Sequence, residues 1–212
     1  MAVSESSAQH YQLHDPDVRL MLQVRDDNAA AFDELMLRYQ NRLVTVLEHL
    51  VGRRDQAEDL AQEVFLRVYR ARKRYVAGAK FSTWLYTIAN HAAANALRSR
   101  SRRPEVNLTT KPTESGSTSV LDKMALAASG AMPTRQLDKA ELQDIVRAAL
   151  QGLSERQRLA VLLNKFEDMS YADIATTMEM SPQAVKSLLS RARLNLKEIL
   201  EPYLSDGTKS SQ

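Results

Sequence analysis

The sequence predicts an all-α fold of two small helical bundles joined by a flexible linker, and three observations predict it. Apolar residues recur at steps of three and four through two separate stretches. Only six glycines and six prolines occur in 212 residues, which leaves long runs free to be helical. From Pro104 to Thr134, 14 of 31 residues are Pro, Gly, Ser or Thr and the periodicity fades. Such a segment buries too little apolar surface to offset the entropy of ordering it.

The divisions that follow are an N-terminal tail over 1–16, a first bundle over 17–103, a linker over 104–135, a second bundle over 136–204 and a tail over 205–212. In the first bundle, Phe32, Leu35, Met36, Tyr39, Leu43, Val46, Leu47 and Leu50 draw one apolar stripe on a long helix, and Gly52 marks its stop. Asp55 with Glu58 three residues later reads as a capping box, opening a helix that turns Ala57, Leu60, Ala61, Val64 and Val68 inward. After a break at residues 76–79, a last helix starts near Ser82 and carries Leu85, Ile88, Ala89, Ala92 and Ala96 on one side. Within the linker a short helical turn is expected at Val120 to Leu126.

Helical pattern returns at about Gln136, with Leu142, Ile145, Val146, Ala149 and Leu150 as a stripe. Ser154 and Gln157 form the next capping box, and Ser170 opens a third helix with Ile174, Ala175 and Met178 inside. The fourth opens with Ser181 as cap and Pro182 at the first helical position, where its missing N–H costs nothing.

Composition narrows the function. Charged residues make up 26% and the hydrophobic set 44%, the balance of a soluble globular protein. No apolar run reaches the roughly 20 residues of a membrane span, and the first residues lack a signal-peptide pattern, so a cytoplasmic protein without membrane insertion is expected. With no cysteine, disulfides, thiolate metal sites and a cysteine nucleophile are excluded. Neither a phosphate-cradling glycine loop nor an HExxH pattern occurs, and His10, His14, His49 and His91 have no metal-ligand spacing. Glu58, Asp59 and Glu63 could be paired acids, but one helix face without a pocket is a poor acid/base site. No enzyme, no metal and no cofactor is therefore expected.

The net charge of +3 is unevenly placed. Arg98, Arg100, Arg102 and Arg103 form one acid-free cluster, and Lys186, Arg191, Arg193 and Lys197 lie in another. Acids gather around Asp55, Glu58, Asp59 and Glu63. Two basic sites and one acidic site suit a polyanion and a separate protein partner, although either basic run alone also suits an ordinary solvated helix face.

Residues 170–186 have helix-turn-helix spacing: a short helix over Ser170 to Met178, a turn at Glu179-Met180, then a helix from Ser181. On a wheel of the second helix, Val185, Leu188, Leu189, Ala192, Leu196 and Ile199 share about a third of the circle. Gln183, Lys186, Ser187, Ser190, Arg193 and Lys197 hold the opposite arc, with Arg191 at its edge. These side chains donate to phosphates and base edges, and no carboxylate intrudes. In the first bundle, Trp84, Thr87, His91, Asn95 and Arg98 lie along one side of a helix, a surface suited to unstacked bases and a single-strand backbone. A lone Trp at helical spacing is nevertheless more often core than stacking platform.

Ala57-Glu-Asp-Leu-Ala-Gln-Glu-Val-Phe-Leu-Arg-Val-Tyr69, followed by Phe81-Ser-Thr-Trp-Leu-Tyr-Thr-Ile-Ala89, resembles the first domain of ECF sigma factors of the sigma-70 family. Leu153-Ser-Glu-Arg-Gln-Arg158, Ser170-Tyr-Ala-Asp-Ile-Ala175 and Val185-Lys-Ser-Leu-Leu-Ser-Arg-Ala-Arg193 resemble the second. The likeness covers about Ala31 to Arg103 and Leu137 to Leu200, in the family's order.

The resemblance implies an alternative sigma factor that directs core RNA polymerase to specific promoters and assists melting of the −10 element. Glu58, Asp59, Gln62 and Glu63 would dock on the clamp helices of the polymerase's largest subunit, and the flap region is a further implied partner. The loop Arg74 to Phe81 and the helix after it would read the −10 element through Tyr75, Lys80, Phe81, Trp84, His91, Asn95 and Arg98. His91 stands where many members carry asparagine. Gln183, Lys186, Ser187, Ser190, Arg191 and Arg193 would read the −35 element, with Ser190 small where some relatives carry an aromatic. An anti-sigma partner and a monomeric free state are implied as well. The competing reading is a stand-alone helix-turn-helix regulator, which would bind a duplex unaided, usually as a dimer.

Overall fold

A computed structural model describes residues 11–102 and 139–205. The expected linker, with its helical turn at Val120 to Leu126, lies outside them, as do the first ten residues and those after 205. The first bundle contains α1 (Pro16–Arg25), α2 (Ala29–Val51), α3 (Arg54–Ala71), a 3-10 turn (Arg72–Arg74) and α4 (Phe81–Arg102). The second contains α5 (Lys139–Gln151), α6 (Glu155–Lys165), α7 (Tyr171–Thr177) and α8 (Pro182–Ser205). Every regular element among the described residues is helical.

Local chemistry sets most helix ends. Asp15 caps α1, accepting the N–H groups of Asp17 (2.9 Å) and Val18 (3.3 Å) ahead of Pro16 at the first position. Asn28 caps α2 through Ala31 N–H at 3.3 Å. That helix ends on Gly52, whose φ of +81° suits glycine and whose N–H reaches Glu48 O at 2.8 Å. The expected capping box at Asp55 does not form. α3 begins at Arg54, two residues earlier than that box requires, after Arg53, which makes no side-chain cap. The Asp55 carboxylate pairs with the Arg53 guanidinium instead, a fork of charge-assisted bonds that holds it below the usual carboxylate range.

The capping box at Ser154 and Gln157 is present, and Ser170 caps α7 through Asp173 N–H at 3.1 Å. Met180 N–H bonds Ala175 O (2.9 Å) and Glu179 N–H bonds Thr176 O (3.3 Å), with Glu179 left-handed at φ +54°. That paired pattern closes α7 as a Schellman motif and makes the tight turn of the helix-turn-helix. Ser181 then caps α8 through Ala184 N–H at 3.2 Å.

The apolar stripes form the cores. Leu35, Tyr39, Leu43, Val46, Leu47 and Leu50 of α2 are buried against Ala57, Ala61, Val64 and Val68 of α3 and Leu85, Ala89 and Ala92 of α4. In the second bundle Leu159, Leu162 and Leu163 of α6 meet Ile174 and Ala175 of α7 and Val185, Leu188, Leu189 and Ala192 of α8. Each buried leucine, isoleucine or valine among them contributes about 1.5–3 kcal/mol by leaving water, and each alanine methyl less than about 1 kcal/mol. The bundles also pack on one another, α7 across α4 and α6 beside α2.

Candidate nucleic-acid and polymerase interfaces

The outer arc of α8 is the simplest surface. Gln183, Lys186, Ser187, Ser190, Arg191 and Arg193 are all exposed while Val185, Leu188, Leu189 and Ala192 face inward, so one helix both completes the core and displays the donors. Gln183, Lys186, Ser187, Ser190 and Arg191 line one shallow open groove. Arg193 is tied to the hydroxyl of Tyr171 at 2.9 Å, which orients it from α7.

On α3, Glu58, Asp59, Gln62 and Glu63 are exposed together. Glu58 accepts from Arg54 at 3.0 Å and Glu63 from Arg67 at 3.1 Å, single-turn surface pairs that keep the acids extended along the helix. The first-turn acid is Asp55, so helix-dipole complementation does not account for Glu58 and Asp59. Leu66 follows on the same side and is 53% exposed, and Phe32, Met36 and Phe65 line an apolar groove next to it. An acidic rim beside an exposed apolar strip is the composition of a protein-binding surface. Leu66 escaped the sequence reading because it stands one position outside the inward stripe.

The α4 region divides in two. Lys80, His91, Asn95 and Arg98 are exposed, and Arg98 is braced against Asn95 Oδ1 at 2.6 Å. Tyr75 and Phe81 are buried, 4% and 0% exposed, so they offer no free ring to a base in this arrangement. They pack beneath Trp84 instead, with ring centroids 4.9 Å and 6.2 Å from the indole, and Phe81 also meets Tyr39 at 5.2 Å. Burial, aided by the charge of Asp15, pushes the Tyr75 hydroxyl above its ordinary range. Trp84 itself is half-buried, part core and part surface. Sequence spacing could not separate these roles because Tyr75 and Phe81 flank a loop, where no periodicity fixes which side faces in.

The second bundle reaches into the same region. Asp173 accepts from Thr83 Oγ1 at 3.1 Å and lies 3.6 Å from Lys80 Nζ. His91 Nε2 is 3.1 Å from Glu179, Asn90 donates to Thr177 O at 3.3 Å, and Thr177 Oγ1 donates to Thr83 O at 3.4 Å. Farther along, Arg42 grips Glu167, whose side chain is 2% exposed, and Arg158 donates to His49 O at 3.0 Å and to three carbonyls of its own bundle. Helix α7 and its turn therefore lie over the face that carries Lys80 and His91, while the outer arc of α8 points away.

Comparison with known proteins fits both halves. The Sigma-70 region 2 pattern matches residues 35–103 and the Sigma-70 region 4 pattern matches residues 143–196. The RNA polymerase sigma-H factor of Pseudomonas aeruginosa is 34% identical over 193 residues, covering 90% of this chain and 96% of that protein. The chain belongs to the sigma-70 family, as an alternative sigma factor of the ECF type. ECF sigma-E factors of Haemophilus influenzae (30% identical, 89% of this chain and 97% of that one) and Escherichia coli K12 (28%, 89% and 96%) are further relatives.

Among solved structures, the sigma factor RpoE in complex with the anti-sigma factor NepR, from Bartonella quintana, is 26% identical with a TM-score of 0.60 over 80% of this chain and 96% of that one. CnrH in complex with the cytosolic domain of CnrY shares the fold at 20% identity and a TM-score of 0.63, over 88% of this chain and 98% of that one. Membership of this family, with a region 2 match beside the region 4 match, sets aside the stand-alone regulator. Among the described residues no helix is long and apolar enough to cross a membrane, and no three His, Asp or Glu side chains gather as for a metal ion.

Proposed function

We propose that this sigma factor holds two promoter elements at once, α8 in the major groove of the −35 duplex and the loop 74–81 with α4 on the unpaired non-template strand of the −10 element. The exposed, carboxylate-free arc of Gln183, Lys186, Ser187, Ser190, Arg191 and Arg193 carries this reading. Lysine and arginine supply phosphate contacts, and glutamine and serine supply base-edge hydrogen bonds. At the −10 element, Lys80, Asn95 and Arg98 hold the strand and the exposed edge of Trp84 stacks a base, with Tyr75 and Phe81 fixing the indole from below. Extruding a base costs a few kcal/mol and one stack returns about 1–3 kcal/mol, so capture favours local melting without ATP.

Glu58, Asp59, Gln62 and Glu63, joined by Leu66, form the docking face for the clamp helices of the polymerase, and the second bundle engages the flap region. Because Asp173 and Glu179 of the second bundle engage Lys80 and His91 in the free chain, a strand must displace those contacts, which parting of the bundles would release. An anti-sigma protein, the kind of partner bound to the Bartonella relative, would act on the same two bundles. Sigma factors as a class are not enzymes, and we assign the chain no catalytic step; it acts in the cytoplasm, with polymerase and promoter.

Gel shift on a promoter duplex, with and without core polymerase, tests the reading. A tight complex that requires core supports it, and equal affinity of the isolated chain for the duplex contradicts it.

A further inference from the structure

The segment 75–80 makes little secondary structure of its own, with Tyr75 N–H on Arg72 O (3.1 Å) and Gly78 N–H on Val76 O (2.8 Å) as local bonds. Its two ends are held by the two ends of α1. At the far end, Phe81 N–H, the first amide of α4, donates to Asp15 Oδ2 at 3.2 Å. The other oxygen of that carboxylate caps α1 through Asp17 and Val18. Asp15 thus caps two helices at once.

At the near end, Asp27 accepts from Lys73 Nζ at 2.5 Å and from Arg72 at 3.2 and 3.3 Å, and Lys73 also donates to Arg25 O at 2.8 Å. The hydrogen bond from Lys73 outweighs the opposing desolvation and, with the smaller contribution of Arg72, holds the Asp27 carboxyl below its ordinary range. Asp27 also has φ +67°, a left-handed conformation that glycine adopts far more easily. The backbone would favour glycine here; only the carboxylate can hold Arg72 and Lys73. The conformation closes α1 as a Schellman motif, with Asp27 N–H on Val24 O and Asn28 N–H on Gln23 O, both at 3.0 Å, so the end of α1 and the Asp27 carboxylate are placed together. Between the two carboxylates runs α1, ten residues and so a rigid rod of about 15 Å.

We infer that α1 is a strut that sets the separation of the ends of the 75–80 loop, and that Asp15 and Asp27 are positioning residues for base capture at the −10 element. The inference rests on the reading of that loop given under Proposed function. Neither carboxylate touches DNA. Each acts through the backbone that presents Lys80 and Trp84.

Two conservative variants test it in holoenzyme assembled with core polymerase. Asp15→Asn keeps an oxygen to cap α1, since asparagine is as good a cap, but puts an N–H donor where Phe81 N–H needs an acceptor. Asp27→Gly removes the carboxylate while relieving the left-handed backbone, so the fold is not strained further. Open-complex formation is read by 2-aminopurine fluorescence on promoters substituted base by base across the −10 element, beside core affinity and the melting temperature of the chain. The expected result is core affinity and melting close to wild type, with discrimination between −10 bases lowered about tenfold, the scale of one charge-assisted hydrogen bond.

Unchanged discrimination in both variants, while Lys80→Ala and Trp84→Ala impair opening, overturns the strut and leaves the loop reading standing. A uniform loss at every −10 sequence that tracks lowered melting also overturns it, as a purely structural role. If Lys80→Ala and Trp84→Ala leave opening unchanged, the loop reading itself fails and the strut falls with it.

Discussion

Arg42 of α2 and Glu167, just beyond α6, lie 2.6 Å apart and tie the first bundle to the second through a carboxylate that is almost fully buried. The arginine is half exposed and also stacks on Tyr39, so the pair sits at the edge of the interface rather than in its centre. Removing the arginine leaves an almost fully buried carboxylate without its cation, which costs about 1–3 kcal/mol where water can take the place vacated by the half-exposed guanidinium.

Closure of the bundles is therefore expected to be salt-sensitive and to weaken in Arg42→Ala. The chain has no cysteine, so dye pairs on Asp33→Cys and Lys197→Cys, both exposed sites, report the distance between bundles. High energy transfer at low salt, lost on adding salt and lost at lower salt in Arg42→Ala by about a fivefold or greater shift in population, is the predicted outcome. Transfer that ignores both salt and the substitution would show that these pairs do not hold the arrangement.

Arg191→Ala and Lys186→Ala should each weaken holoenzyme binding to the −35 element and reduce the slope of log affinity against log salt by about one. Both side chains are exposed on α8 and outside the core, so melting should stay within about 0.5 kcal/mol of wild type. Fluorescence anisotropy across a salt series measures both quantities. A slope unchanged from wild type, or steeper, would remove these residues from the phosphate contacts.

How much of this was legible in the sequence differs by residue. Ser154, Ser170 and Ser181 cap the helices that their spacing predicts, because capping depends on groups three residues apart. Asp55 failed for an equally local reason, a competing guanidinium two residues away that took the carboxylate. The donors on α8 were legible because a helix fixes which side each residue faces. Asp173, Glu179 and Glu167 were not, since their partners Thr83, His91 and Arg42 are about 90 to 125 positions distant and no local pattern names them.

Trp84→Ala should cost about 1–3 kcal/mol of stability, since the indole is half-buried on Tyr75 and Phe81, and should also reduce promoter opening. Trp84→Phe separates the two effects: it refills most of the core but offers a smaller face to a base. Calorimetry beside permanganate footprinting is expected to show near wild-type melting and intermediate opening for Trp84→Phe. Full opening by both variants would confine Trp84 to the core.

Glu63→Lys should impair recruitment to core polymerase by about tenfold or more while leaving the fold intact. The exposed pair of Glu63 with Arg67 contributes at most about 1 kcal/mol, so any stability change should be small. Leu66→Asp, on the same face, should act in the same direction. Affinity for core measured by native gel or anisotropy checks both, and unchanged affinity in both would move the docking face elsewhere.

Start-site selection in a runoff assay tests the central claim most directly. Purified chain is added to bacterial core polymerase on a library of promoter sequences, and the transcripts are mapped. Discrete start sites that share a −35 and a −10 motif, absent with core alone and lost with Lys186→Ala/Arg191→Ala, are the predicted result. Transcripts that start at random, from a chain that nevertheless grips duplex DNA unaided, would contradict it.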